Sequence, residues 1–312
     1  MTAVEVTRSA PPPTPSAGPD GRVPATLWVI PPPLVVAGCV AWPMFTVLGE
    51  SMREPSGALG LSTWSTVLSS HEFTHALART AQICLGSTLG ALVLGSFFAL
   101  VLSFVPFPGN GMIARLIDTV LALPSFLITL AFTFLYGGAG VLAAVLHGLA
   151  GPGATLPPIV TSPIGVILAE ITFFTPFVVR PLLASFALLP REQLEVAASL
   201  GAGPLRVLRA VVLPEALPGL AAGGSLVLLL TLNEFGIVLF TGAKDVITLP
   251  VLIYTRGVVS LDLPGAAVVA TAQVALSLLL YGLYRFGFAR LVTREGPLDP
   301  TEGPDHVALD AR

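Results

Sequence analysis

Charge is what this sequence of 312 residues has least of: Asp, Glu, Lys and Arg together make up 11%, and Lys244 is its only lysine. Soluble domains carry about a quarter of their residues as charged groups, so that class is excluded for a chain this poor in charge. The 54% of hydrophobic residues and the mean hydropathy of +0.87 are too apolar for one soluble core. Cysteine is scarce too, with two residues. Cys39 and Cys84 both fall inside apolar runs, where they act as small packing residues rather than as a disulfide or a metal pair. The four histidines, His71, His75, His147 and His306, form no HExxH motif and no Cys/His cluster. His71 and His75 are four apart and share a helix face, but no third ligand accompanies them. No G-x-x-x-x-G-K-[ST] sequence occurs; Lys244 follows Gly242 and Ala243 but precedes Asp245, so the chain has no P-loop of its own. No catalytic residues, metal or cofactor are expected, and no nucleic-acid partner.

What the chain has instead is long apolar runs. A helix needs about 20 mainly apolar residues to cross a hydrocarbon layer roughly 30 Å thick. Six runs meet that length: 26–49, 80–105, 113–136, 162–186, 216–240 and 265–288. They are continuous and lack the period-two alternation of a lipid-facing strand, which predicts an all-α membrane protein with six transmembrane helices. Positively charged loops stay in the cytoplasm, and with both termini inside, eleven of the fifteen basic residues lie inside or at that interface. Only Arg53, Arg79, Lys244 and Arg256 then fall outside. Residues 1–24, with "APPPTPSAGPDG", read as a disordered cytoplasmic tail rather than a signal peptide, because the first apolar run is too long for an h-region. Residues 25–64 are expected to hold the first helix and an outer loop, 65–291 a core domain, and 292–312 a second cytoplasmic tail.

One polar stretch interrupts this pattern between the fourth and fifth runs: "EVAASLGAGPLRVLRAVVLP", residues 195–214. Pro190 suits a first helical position, and Glu192 and Glu195 suit the positive end of a helix dipole. Leu194, Ala197 and Ala198 give that short helix a narrow small-residue face. Gly201 can close it in the left-handed conformation, and Gly203 with Pro204 starts a second helix. There Leu205, Leu208, Val211 and Val212 form one stripe and Arg206 and Arg209 another, as in an interfacial helix, with Pro214 and Pro218 bending the chain into the fifth run. Such an elbow could lie on anionic lipid or enter a groove of a partner protein.

The stretch resembles the EAA motif of the membrane permease subunits of binding-protein-dependent ABC importers, E-A-A, three residues, G, nine residues, I-x-L-P. Glu195, Ala197, Gly201, Leu213 and Pro214 match at the family spacing, whereas Val196 stands in place of an Ala and Val211 in place of the Ile. The resemblance implies a type I importer permease fold over residues 65–291, in a bacterial plasma membrane. It implies that the elbow is a coupling helix docking into a cytoplasmic ABC ATPase dimer, with Glu195, Ala197, Ala198, Gly201, Arg206, Leu213 and Pro214 as the coupling residues. A second permease copy or paralogue, an extracytoplasmic solute-binding protein and membrane lipid would complete the assembly. The runs "ALPSFLITLAFTFLYG" and "ITLPVLIYTR" look most like permeases of the 2-aminoethylphosphonate group, with sulfate, ferric iron and thiamine permeases as cousins.

Polar residues inside the runs are expected to face protein or water, since a charge at mid-bilayer costs about 2.5–3.5 kcal/mol on insertion scales. Asn233 and Glu234, in an E-F-G stretch similar to that of sulfate and molybdate permeases, are candidates to line a pathway or to form a buried structural pair. Glu170 and Asp118 are candidates of the same kind. Arg180 lies ten residues from Glu170, about 15 Å along a helix and too far to pair with it, and is expected to pair structurally or to snorkel. Gly86, Gly90 and Gly95 predict close helix contact. Pro124 and Pro176 interrupt the third and fourth runs. An ion-coupled secondary transporter is the rival reading, but it calls for inverted repeats that the sequence lacks. A membrane-embedded enzyme would need convergent ligands or a nucleophile within the spans, whereas the histidines are expected outside them.

Overall fold

The computed structural model describes residues 31–54, 56–151, 159–243 and 245–292; both expected tails, apart from Val292, and Lys244 lie outside the described residues. Among the described residues every regular element is a helix, and six helical segments are long and apolar enough to cross a membrane. The first, α1 (Pro31–Ser51), is apolar all round, with Trp42 and Phe45 exposed, as a lipid-facing span would be. Among the described residues, those up to Thr46 form one compact unit, and those from Val47 on form another that holds the core.

Two short elements open that unit: an Arg53–Leu59 bridge and helix α2 (Ser62–Leu68). Three long helices make its centre: α3 (His71–Phe104), α7 (Pro163–Ala187) and α10 (Leu213–Leu232). Sequence sets where they start. Ser70 Oγ accepts from the Phe73 N–H at 3.2 Å to cap α3, and Ser162 Oγ accepts from Gly165 N–H at 3.3 Å to cap α7, with Pro163 just inside. Glycines set how closely they pack. A Cβ on Gly95 of α3 would stand 2.7 Å from the Cβ of Val178, and one on Gly223 of α10 would stand 3.0 Å from its Cα. Val178, fully buried on α7, is therefore gripped from both sides, and Gly90 meets Ile171 in the same seam.

Four details differ from the sequence reading. Helix α3 begins at His71, nine residues before the run read from 80, so His71 and His75 belong to its first turns and not to a separate outer helix. His147 likewise sits in α6 (Val141–Ala150), within the apolar segment Ser125–Ala150, so the expectation that the histidines stand outside the spans is corrected. The third run is two helices, α4 (Asn110–Leu121) and α5 (Ser125–Tyr136). Pro124 has no N–H to donate and disfavours a helical Leu123, so Ala122 and Leu123 close α4 with short bonds to the Thr119 and Val120 carbonyls. Finally, the second elbow helix, α9 (Pro204–Val207), does not bend away from the fifth span. It runs into α10 through a wider turn at Leu208–Val212, whose closing bond joins Leu213 N–H to Leu208 C=O, and Pro214 follows where its missing donor is tolerated.

The fifth run is broken as well, between α10 and α11 (Gly236–Thr241). Beyond it α12 (Leu249–Tyr254) and α13 (Leu263–Val292) close a smaller core with Val67 and Phe73. Arg256 fastens this end, reaching Glu72 of α3 at 2.9 Å and Asp262 at 3.2 Å.

Candidate functional site

The elbow follows directly from local chemistry. Helix α7 ends at Ala187, Pro190 precedes α8 (Arg191–Ser199), and Glu192 occupies the first turn. Gly201, at φ +76°, lets Ala202 N–H reach the Ala197 carbonyl at 3.0 Å and Gly201 N–H reach Ala198 at 2.9 Å, the paired bonds of a Schellman closure. Pro204 then starts α9. Leu189, Leu194, Val207 and Leu208 pack against the helical core, so the elbow is anchored rather than loose. Its outer side carries Glu195, Ala198, Gly201 and Arg206, all exposed, with Ala197 half-buried. Leu213 and Pro214 are exposed too, but they belong to the first turn of α10 and not to the elbow tip.

Two apolar residues stand out at the tip: Val196, read from sequence only as a departure from the motif, is exposed, and Leu200 is 81% exposed. They are four apart, Val196 in α8 and Leu200 just past its end, and continue one apolar edge, a spacing that could have drawn attention to them. Recesses flank the tip. One of about 570 Å³ lies against Phe104, Leu183, Phe186 and Glu195, and one of about 590 Å³ against Gly203, Leu205, Arg206 and Arg209. An anchored knob with an apolar tip, a carboxylate on one side and two guanidiniums on the other is shaped to seat in a groove with complementary charge.

Deeper in the bundle, the structure joins residues that sequence left apart. At the break in the fifth span Asn233 Nδ2 donates to the Leu229 carbonyl at 2.8 Å, satisfying α10's end, and Gln273 of α13 donates to Asn233 Oδ1 at 3.0 Å. Glu234 turns the other way. Its Oε1 accepts from Ile237 N–H at 2.9 Å, capping α11, and from Ser125 Oγ at 3.0 Å, the first residue after the Pro124 break. Thr129 adds a bond to the Ile237 carbonyl at 3.2 Å, and Phe126 meets Phe240 at 5.3 Å. The half-helices α5 and α11 are thus clasped together beyond two breaks. Asp118 of α4 forms an ion pair with Arg180 of α7.

Glu170 is fully buried between α7 and α3, and neither carboxylate oxygen has a hydrogen-bond partner among the described residues. The buried hydroxyls of Ser87 and Thr88 are unpartnered there too. A group so enclosed acts through packing in this state, so Glu170→Gln, which keeps the shape, is expected to leave stability within about 1 kcal/mol and transport within about threefold. Uptake assays on purified, folded protein check this; a tenfold loss would assign Glu170 to the solute path instead.

Residues 91–292 match the family described as the binding-protein-dependent transport system inner membrane component. The chain belongs to this family. It is a permease subunit of an ABC importer, a multi-pass protein of the inner membrane. It is 48% identical over 273 residues to a Salmonella paratyphi A protein provisionally named the 2-aminoethylphosphonate transport system permease PhnU, covering 87% of this chain and 94% of that one. The thiamine transport system permease ThiP of Brucella abortus is 31% identical over 218 residues, 67% of this chain and 39% of that one. The permease fold is that of a bacterial alginate ABC transporter, solved in complex with its alginate pentasaccharide-bound periplasmic protein. The TM-score is 0.74 at 16% identity, over 86% of this chain and 96% of that one.

Proposed function

We propose that this permease moves 2-aminoethylphosphonate, or a close aminoalkyl phosphonate, across the inner membrane, and that its elbow takes up force from a cytoplasmic ABC ATPase dimer. The observation that carries the substrate is the 48% identity to the PhnU protein, maintained over nearly the full length of both chains. The elbow reading is supported by its anchorage, its exposed apolar tip and its place between the two most deeply packed spans. Both termini and the elbow lie in the cytoplasm on this reading, as the excess of arginine on that side favours. A second permease copy or paralogue completes the pathway, and an extracytoplasmic solute-binding protein delivers the ligand at the end where α3 begins.

Mechanically, ATP binding closes the ATPase pair, draws the two elbows together and tilts the span bundles between outward and inward access. The permease performs no covalent chemistry; it biases a two-state gate. The test is uptake into proteoliposomes holding the assembled transporter and its binding protein. ATP-dependent accumulation of labelled 2-aminoethylphosphonate, absent with ADP and not displaced by sulfate or thiamine, is the expected result. Accumulation of another solute, or of none, overturns the substrate assignment.

A further inference from the structure

The pairing of Asp118 with Arg180 reaches beyond packing. Arg180 lies seven residues before the end of α7, about 10 Å from the point where the chain leaves the span for the elbow. Two further residues on this lower part of α7 are held fast: Pro181 and Ser185 face Gly219 of α10 so closely that no side chain fits between. Helix α7 is therefore a stiff lever running down to α8. Helix α4 is its opposite. It has no buried residue, only Ile117 and Val120 pack partly against the core, it is cut from α5 by Pro124, and among the described residues its ion pair to another helix is the one with Arg180. Both side chains keep partial exposure, 54% for Arg180 and 35% for Asp118, so the pair adds little to stability by itself, and what it offers is a directed link between the two helices. Beyond Pro124 the chain continues directly into Ser125, which grips Glu234 and so the α11 half-helix.

We propose that Asp118 and Arg180 are positioning residues that transmit displacement of the elbow from α7 to α4, and through the Ser125–Glu234 clasp to the α5–α11 pair at the far side of the two breaks. In this arrangement Asp118 is not a solute contact: its carboxylate is committed to the guanidinium. The α5–α11 pair moves as one piece because Thr129 and Phe126 bind it internally, while Pro124 and the 233–235 break give it freedom at its base. The inference rests on the ATP-coupled reading above, and it names two residues of the coupling route that lie outside the EAA stretch.

A charge-swap experiment on the assembled transporter in proteoliposomes tests it, with two readouts: ATP-driven uptake, and the ratio by which loaded binding protein stimulates ATP hydrolysis. Asp118→Asn, which keeps size and loses charge, and Arg180→Gln, which loses charge and some length, are each expected to lower uptake roughly tenfold and to bring the stimulation ratio towards one. The double variant Asp118→Arg with Arg180→Asp restores opposite charges and is expected to recover both readouts to within about threefold of the parent. A purely structural pair would change yield or thermal stability and leave the stimulation ratio of the surviving protein intact. The inference is overturned if the swap stays as low as the single variants, if the single variants couple normally, or if none of the variants accumulates as folded protein. Failure of the parent transporter to take up any solute with ATP would instead overturn the transport reading itself, and so the two failures are distinguishable.

Discussion

Gly201→Leu and Glu195→Arg are each expected to reduce ATP-driven uptake by at least about tenfold while the permease still reaches the membrane folded. The reason differs for the two. Gly201 stands at φ +76°, and a leucine forced into the left-handed region carries a strain of roughly 1–2 kcal/mol, which opens the Schellman closure and changes the angle between α8 and α9. No atom lies within 4 Å of a Cβ built there, so the loss comes from backbone shape and not from a clash. Glu195 is exposed, and its replacement by arginine reverses a charge on the flank of the knob without touching the core. Charge reversal at an interface costs several kcal/mol where it creates a like-charge contact with the partner. Retention of the ATPase on the affinity-purified permease is the measurement. Both variants are expected to lose it, and Gly201→Ala, which makes a smaller demand at the same φ, is expected to lose less.

Gly95→Leu and Gly223→Leu are expected to be strongly destabilising. Each would push a side chain into Val178, which already touches both glycine faces, and the obstructing atoms are a Cβ and a Cα that cannot swing aside. Overpacking a close-packed core costs about 1–3 kcal/mol where the neighbours can relax, and more where backbone must move, so a loss at or above roughly 3 kcal/mol is expected for either. The readout is the midpoint of denaturant unfolding in micelles, or the folded yield when the variant does not survive extraction. Gly111→Leu is the control: it lies exposed on α4 with nothing within 4 Å, and is expected to change stability by no more than about 0.5–1 kcal/mol in either direction.

The sequence made the spans and the elbow legible because the signals there are local. Twenty-odd apolar residues in a row admit few readings, and Pro190, Gly201 and Pro204 each restrict the backbone at the position where the elbow starts, closes and restarts. Prolines inside spans were less informative. Pro124 breaks its helix, whereas Pro176 and Pro181 remain inside an unbroken α7, which is packed between α3 and α10 along its whole length. The break in the fifth span has no proline at all. It depends on Asn233 bonding back to Leu229 and on Glu234 capping the next helix, choices that become favourable only because Gln273 and Ser125 stand opposite. Partners drawn from positions 62 residues apart, as Asp118 and Arg180 are, leave no trace in spacing. Of the two fates expected for Arg180, pairing and snorkelling, the structure shows pairing, with a carboxylate that the sequence did not name as its partner. The exposed edge made by Val196 and Leu200 went unread for another reason: in a chain so rich in apolar residues, exposure is visible only once the fold is known.

The most direct test of the account concerns the side of the membrane on which the elbow lies and what it touches there. A photo-crosslinking residue is placed at Leu200, at the exposed tip, in cells expressing the whole transporter. In parallel Leu200→Cys is made in a chain whose Cys39 and Cys84 are replaced by alanine. The account expects a crosslink to the cytoplasmic ATPase, and no reaction of the cysteine with a membrane-impermeant thiol reagent until the cells are opened. Labelling of that cysteine in intact cells, or a crosslink to the solute-binding protein, would contradict it.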